Sequence, residues 1–531
     1  MTRERVYLFD TTLRDGAQTT GVDFSLEDKR AIAALLDKIG IDYVEGGYPG
    51  ANPLDTAFFS EKRTKNAKFT AFGMTKRAGR SVSNDPGVSA LLEAQADAIC
   101  FVAKAWDYHV RVALETTPEE NLAGIRDSVE AARAKGREVI VDCEHFFDGY
   151  KANPDYALSC AKTAYESGAR WVVLCDTNGG TLPHEVTEIV HAVTKVVPGA
   201  HLGVHTHDDC GCAVANSLAA VEAGARHIQG TLNGLGERCG NANLVTIIGA
   251  LKLKDTYASR FDLGISNEAL GDLTHVSRQV DEILNRQPNR HAPFVGASAF
   301  ATKAGIHASA VLKDPRTYEH VEPEIVGNER KVLVSVQGGQ SNILAELKRC
   351  GFDLEKGDPR IARVLDEVKR KESEGFAFEG ADASFYVLVK RILGEVPAFF
   401  DVERFSVNVE RRYNAMGELV TASEAIVKVR VGDEVLISAA EGNGPVNALD
   451  VALRKDLGKY QNLIQDLELV DYKVRIYQGG SDAVTRVLIE FTDATGERWT
   501  TIGVSANIID ASFQALTDSM IYKLLKGGAT L

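Results

Sequence analysis

Trp171-Val172-Val173-Leu174-Cys175-Asp176 and, one amphipathic stretch later, Leu202-Gly203-Val204-His205-Thr206-His207 are short apolar runs that end on side chains able to hold ions or protons. A parallel strand covered on both faces reads this way, apolar throughout and polar only where it emerges. Working outward, the same unit recurs at Val6–Asp10, Tyr43–Tyr48, Phe69–Gly73, Ala98–Ala103, Val139–Cys143 and His227–Leu232, which makes eight runs. The segments between them are long enough for right-handed βα crossovers. Examples are Leu26–Ile39, with Ile32, Leu35, Leu36 and Ile39 at helical spacing, and Ala157–Ser167. Alternation alone suits either a doubly wound open sheet or a (β/α)8 barrel. The polar residues favour the barrel: Asp15, Glu144, Asp176 with Thr177, His205 with His207, and Asn241 follow the ends of runs one, five, six, seven and eight. In a barrel those ends converge on one face, where active sites are built from several strands. Residues 1–275 are therefore expected to form a catalytic α/β (TIM) barrel.

The 531 residues contain 44% hydrophobic and 25% charged side chains, average soluble usage that excludes a disordered or fibrous chain. A net charge of −14 opposes nucleic acid and anionic membranes, and no basic run relieves it. An anionic small substrate must then be held by a few placed cations or by a metal. Eight cysteines without a CxxC pair fit a reduced, cytoplasmic setting. Neither a signal-peptide apolar stretch nor a run of about 18 apolar residues is present, so no membrane association is expected.

Beyond the barrel the pattern changes. Pro288, Pro293, Pro315 and Pro323 punctuate a loop-rich region and Glu355–Glu374 reads as a solvated helix, so residues 276–395 are expected to connect two larger parts. From 396 to 531 strand alternation takes over in Ala425–Val431, Glu434–Ala439, Lys473–Tyr477, Val487–Phe491 and Trp499–Val504. Two hairpin-plus-helix units are expected. One turns at Gly432-Asp433 and enters helix Val446–Leu457; the other turns near Thr495-Gly496 and enters helix Ile508–Leu525. A pseudo-symmetric α+β domain with few catalytic candidates suits binding or dimer formation.

Three segments carry chemistry. In Asp10-Thr11-Thr12-Leu13-Arg14-Asp15-Gly16 the Asp-Gly pair is an ordinary βα turn, yet Arg14 beside Asp15 also suits polarising a carbonyl next to a metal. In His205-Thr206-His207-Asp208 strand alternation sends both imidazoles to one face. Such a pair is as often structural, but with Asp15 and an amide oxygen it becomes a mixed nitrogen and oxygen set for Mg²⁺, Mn²⁺, Co²⁺ or Zn²⁺. In Gly234-Leu235-Gly236-Glu237-Arg238-Cys239-Gly240-Asn241 the third glycine of a dinucleotide fingerprint would fall on Cys239, which excludes that reading. Asn241 is the candidate oxygen ligand, with Glu237 and Arg238 expected to orient it. Cys210 and Cys212 are expected to be buried thiols without a metal or redox role.

DTTLRDG, HTHDD and GLGERCGNANL, in that order at strand ends one, seven and eight, resemble the metal-dependent Claisen-condensing branch of the barrel superfamily of pyruvate carboxylase and isopropylmalate synthase. The second run, Val44 to Pro53 with Phe58-Phe59, is more similar to the family's citramalate-forming members than to its leucine-pathway or homocitrate members. Segments 442–449 and 503–516 resemble its regulatory, dimer-forming domain. The resemblance implies Asp15, His205, His207 and Asn241 as metal ligands, Arg14 on the 2-oxo group, and Thr177 on the oxo acid's carboxylate. It implies Glu144 as a base or as the residue that positions one, and His307 and Tyr318 as helpers from beyond the barrel, across a homodimer. The implied reaction joins acetyl-CoA, pyruvate and water into (R)-citramalate and CoA. That is the first step of a threonine-independent isoleucine route, with isoleucine as the effector of the C-terminal domain. The alternatives are 2-oxoisovalerate as acceptor, giving 2-isopropylmalate, carbon–carbon cleavage by a lyase or aldolase, and a non-catalytic amino-acid sensor.

Overall fold

The eight apolar runs become eight parallel strands that close on one another in chain order. They are β1 (Tyr7–Asp10), β2 (Tyr43–Gly47), β3 (Lys68–Met74), β4 (Ala98–Lys104), β5 (Glu138–Glu144), β6 (Trp171–Asp176), β7 (Leu202–Thr206) and β8 (His227–Gly230). The last returns to the first in the register Tyr7 to His227 through Asp10 to Gly230. This computed structural model describes residues 3–303, 305–332, 340–355, 357–378, 380–413, 415–478 and 483–530. A helix follows each strand: α1 (Leu26–Ile39), α2 (Pro53–Phe58), α3 (Pro86–Glu93), α4 (Pro118–Ala134), α5 (Pro154–Glu166), α6 (Pro183–Val193), α7 (Ala213–Glu222) and α8 (Leu244–Leu253). A further helix, α9 (Leu273–Ile283), comes after the barrel.

Local chemistry sets these boundaries. Proline opens α2 through α6, where its missing N–H is no loss. Ser25 and Asp28 close a capping box on α1, and Gly40 ends that helix at φ 96°. A Cβ at Gly40 would lie 2.8 Å from the Gly264 carbonyl, so glycine is needed there for space as well as for backbone freedom.

Between the strands and their helices runs one large apolar core. Inside the barrel a second, aromatic cluster of Phe9, Tyr43 and Trp171 fills the middle. His227 lies among these rings, 4.8 Å from Trp171 and 5.4 Å from Phe9 between centroids, with neither ring nitrogen hydrogen-bonded. Burial pushes its pKa down to about 3, so the imidazole is neutral and packs as an aromatic. This plug closes the barrel below the polar residues at the strands' C-terminal ends.

By its contacts the chain parts into two units, Met1–Phe300 with His320–Arg330, and Ala301–Glu319 with Lys331–Leu531. In the second, α10 (Pro359–Ser373) occupies the charge-dense stretch and α11 (Asp382–Leu393) follows. The repeat is present but larger than two hairpins. Antiparallel β9 (Asp401–Tyr413), β10 (Leu419–Val431) and β11 (Glu434–Gly442) precede α12 (Pro445–Lys455). Then β12 (Glu468–Gln478), β13 (Val484–Thr492) and β14 (Arg498–Ser505) precede α13 (Ile508–Lys526). The expected two-residue turn joins Val431 to Glu434, with Gly432 at φ 59°. Helices α12 and α13 cover one face of the sheets through Leu449, Leu453, Leu516 and Met520. Within this unit Ile437 and Ile476 are 68% and 62% exposed. Among the described residues no helix is long and apolar enough to cross a membrane.

Candidate functional site

Just after β1, buried Asp10 accepts hydrogen bonds from the Thr12 amide and hydroxyl, each at 2.9 Å, and this folds the following loop back over the barrel mouth. Burial pushes the Asp10 carboxyl up to about 7 against those bonds. The loop delivers Arg14 and Asp15. Arg14 Nε donates to Glu45 Oε2 of β2 at 2.8 Å, its guanidinium carbon lies 4.0 Å from the Phe72 ring centre, and Nη1 is 3.4 Å from Asp15 Oδ1. Glu45 also accepts from the Thr11 hydroxyl at 2.6 Å, while its Oε1 is buried without a partner. The arginine is thus clamped from two sides and cannot swing as a surface side chain would.

Along β7 and one step beyond, the alternation of the strand brings His205 and His207 to the same point, with their Nε2 atoms 3.0 Å apart. Asp15 Oδ2 is 3.2 Å from the first Nε2 and 3.7 Å from the second. Asn241, bridged to His207 in the loop after β8, donates from Nδ2 to Asp15 Oδ2 at 2.9 Å. All four side chains are buried, and Asp15, His205 and His207 each offer a ligand atom within 4.8 Å of the others. Asn241 Oδ1 is buried without a partner. A Cβ at Gly236 would sit 2.0 Å from that oxygen, so only glycine leaves it room. Two facing imidazole nitrogens, a carboxylate and an orphaned amide oxygen are a donor set that fits a divalent cation.

Outer contacts orient these groups. His205 Nδ1 donates to Gln229 Oε1 at 2.7 Å, and Gln229 Nε2 donates to Asp142 Oδ1 at 2.8 Å. An amide oxygen facing Nδ1 fixes the proton there and leaves the Nε2 lone pair toward the cluster. Burial alone would raise Asp15, but Arg14 and the bonds from both histidines outweigh it and hold the carboxyl well below the usual range. Burial opposes protonation of His205, yet Asp15 outweighs it and raises that histidine. Burial lowers His207, with His205 and Arg238 adding to the effect. Asp142 is pushed up to about 6 by burial.

The structure therefore brings Arg14, Asp15, His205, His207 and Asn241 together. Thr177, at the end of β6, accepts from the His145 amide at 2.9 Å, and its carbonyl accepts from Arg238 Nη2 at 2.9 Å. Arg238 differs from expectation: instead of orienting Asn241 it grips Asp209 through two bonds and reaches His207 Nδ1 at 2.8 Å. Glu144 ends β5 and is ion-paired with Lys104. His307 and Tyr318 lie in the second unit, their ring centroids 4.3 Å apart. Cys210 is exposed and Cys212 half-buried, against the expectation of two buried thiols, because they sit on the turn that leads into α7. Glu45, Asp142 and Gln229 also belong to the site and were not among the residues expected from the sequence. The signal was there: each is a polar side chain inside an otherwise apolar run, which burial makes costly unless it is paired.

Residues 5–277 match the family model described as HMGL-like, residues 294–375 the homocitrate synthase post-HMGL domain-like model, and residues 379–524 the LeuA allosteric (dimerisation) domain. The chain is 49% identical to an (R)-citramalate synthase of Aquifex aeolicus, over 98% of each chain. It is 44% identical to one of Sulfolobus acidocaldarius, over 99% of this chain and 98% of that one. A 2-isopropylmalate synthase of Methanocaldococcus jannaschii is 30% identical, over 97% of this chain and 94% of that one.

Proposed function

The chain belongs to the HMGL-like family, and from that footing we propose that it is an acyltransferase condensing acetyl-CoA with pyruvate and water to give (R)-citramalate and CoA. The observation that carries this reading is the buried Asp15, His205, His207 and Asn241 cluster with Arg14 clamped beside it. A divalent cation held there supplies Lewis-acid polarisation of the 2-oxo acid.

The chain's own residues do the rest. Arg14, held by Glu45, points its remaining N–H groups at the keto oxygen and stabilises the negative charge that grows as the new carbon–carbon bond forms. Thr177 accepts from the His145 amide, which leaves its hydroxyl proton for the oxo acid's carboxylate. Glu144 and His307 are the two candidates for removing the acetyl methyl proton. Lys104 takes Glu144 Oε2, leaving Oε1 for that transfer. Tyr318, its ring tilted against that of His307, is the helper we assign beside it. Water then attacks the thioester carbonyl, the carbon–sulfur bond breaks, and CoA leaves as the thiol.

The division of labour follows the three segments: residues 1–275 condense, 276–395 connect, and 396–531 regulate and pair two copies. Apolar side chains left exposed on the sheets, Ile437 and Ile476 among them, support a homodimer through this domain. Isoleucine is the effector we assign to it, consistent with a first step toward that amino acid in the cytoplasm. Loss of isoleucine inhibition on deleting residues 396–531, with the full-length chain inhibited, is expected; a full-length chain indifferent to isoleucine would remove the assignment.

The test of the reaction is CoA thiol release with a divalent metal and pyruvate, 2-oxobutyrate or 2-oxoisovalerate as acceptor. Highest kcat/KM with pyruvate is expected. Preference for 2-oxoisovalerate would move the enzyme to 2-isopropylmalate formation, and no release with any acceptor would refute condensation.

A further inference from the structure

The stretch from Gly46 to Asp55, which leaves β2 and enters α2, takes no part in the steps above, yet its geometry is closely specified. The register of β2 against β3 slips there: Glu45 pairs with Thr70, and Gly47, two residues on, pairs with Ala71. Gly46 is therefore one residue too many for the partner strand, and such a bulge re-aims the side chain beside it. A Cβ at Gly47, whose φ is 135°, would lie 2.5 Å from the Asp55 carboxyl carbon, so the turn closes directly onto that acid.

Under the bulge lies a buried ion pair. Lys29 of α1 and Asp55 of α2 are 3% and 6% exposed and meet through Nζ and Oδ1. Lys29 Nζ also donates to the Gly46 carbonyl at 2.9 Å. Asp55 Oδ2 accepts from the Tyr48 amide at 2.9 Å and from Asn52 Nδ2 at 3.0 Å. A buried ion pair is seldom worth more to a fold than apolar side chains of the same size, and its best-attested use is to fix a register. This one supplies directed bonds to the backbone on either side of Gly47.

Both bonds lead to Arg14. Gly46 follows Glu45, whose Oε2 accepts from Arg14 Nε at 2.8 Å. Tyr48 packs edge-on against Phe72, with 6.1 Å between ring centroids and 87° between planes, and the Phe72 ring centre lies 4.0 Å from the Arg14 guanidinium carbon. The carboxylate arm and the aromatic arm that clamp the arginine thus both rest on residues held by one pair. We propose that Lys29 and Asp55 are positioning residues for Arg14, fixing the bulged end of β2 so that the guanidinium is aimed at the keto oxygen; this rests on the condensing reaction above. Neither residue touches substrate. Their effect reaches the reaction through the placement of Arg14, where a shift of about 1 Å is enough to cost rate.

The test compares the full chain with its Lys29→Met/Asp55→Asn double variant, which removes both charges and leaves neither buried alone. With pyruvate, kcat is expected to fall about 10–100-fold, while KM for acetyl-CoA and calorimetric Mn²⁺ affinity stay within about twofold of wild type. In the Arg14→Gln background the same changes should cost less than about twofold, because the residue they position is already gone. Calorimetry of pyruvate with the Mn²⁺-loaded chain should show the same coupling without turnover. Urea unfolding reports whether the double variant folds; where it does not, Asp55→Asn alone, which keeps the shape, carries the same expectations. A folded variant with wild-type kcat, or with an equal loss in both backgrounds, would overturn the positioning and leave an ordinary core ion pair. Pyruvate binding that depends on the pair through Arg14, in a wild-type chain that forms no citramalate, would sustain the positioning and refute the reaction. Citramalate formed at the wild-type rate by the double variant would do the reverse.

Discussion

Replacing Gln229 by leucine tests whether the inner groups of the site depend on the relay behind them. The side chain is fully buried, accepts from His205 Nδ1 at 2.7 Å and donates to Asp142 at 2.8 Å. Leucine keeps much of the volume and removes both bonds. His205 then loses the acceptor that fixes its tautomer, and Asp142, already pushed up to about 6, loses a donor that favours its charged form. Outer partners of metal-binding histidines are worth about 10–100-fold in metal affinity, or about 1.4–2.8 kcal/mol. Titrating Mn²⁺ into the variant by calorimetry near neutral pH should show a loss in that range. Gln229→Glu, which retains an acceptor for Nδ1–H, should recover part of it. A folded Gln229→Leu protein that binds Mn²⁺ as tightly as wild type would refute the relay.

Further consequences follow from the same geometry. Arg14→Gln should retain metal affinity but lose about 10²–10³ in kcat, the usual cost of removing one oxyanion donor; near-normal turnover would end its carbonyl-polarising role. Asp15→Ala and His207→Ala should lose metal binding and activity together, and chelation should silence the wild type reversibly. His227 gives a pH prediction. Its folded pKa of about 3 lies below the ordinary 6.5, so the unfolded chain gains a proton that the folded chain refuses. Its stabilising contribution is complete above pH 6.5 and is lost as pH falls toward 3. Between neutral pH and about pH 5 this is about 2 kcal/mol. Urea unfolding of His227→Phe should show a correspondingly smaller loss of stability, and an unchanged acid limb would mean that His227 is protonated in the fold.

The barrel was legible because each strand is a mostly apolar run of nearly its true length. Trp171–Asp176 coincides with β6, and Leu26–Ile39 with α1. The inner site was legible for a related reason, since Asp15, His205, His207 and Asn241 stand where runs end and polar residues have no packing role. What was not legible lay inside the runs or at the surface. Glu45, Asp142 and Gln229 sit among apolar neighbours, and only the closed barrel reveals that Arg14 and His205 are their partners. Arg238 was assigned to Asn241 because they are close in sequence, yet positive φ at Arg238, 54°, turns it toward Asp209 and His207 instead. Strand β9 was missed although Phe405, Val407 and Val409 alternate, because Arg411 and Arg412 extend it into a charged stretch with little burial.

Condensation is tested by incubating the full chain with acetyl-CoA, pyruvate and a divalent metal and identifying the product by chiral chromatography while counting thiol released. (R)-Citramalate is expected in equal amount to CoA, with none formed by Asp15→Ala. Thiol release without citramalate, or citramalate formed equally well by Asp15→Ala, would contradict it.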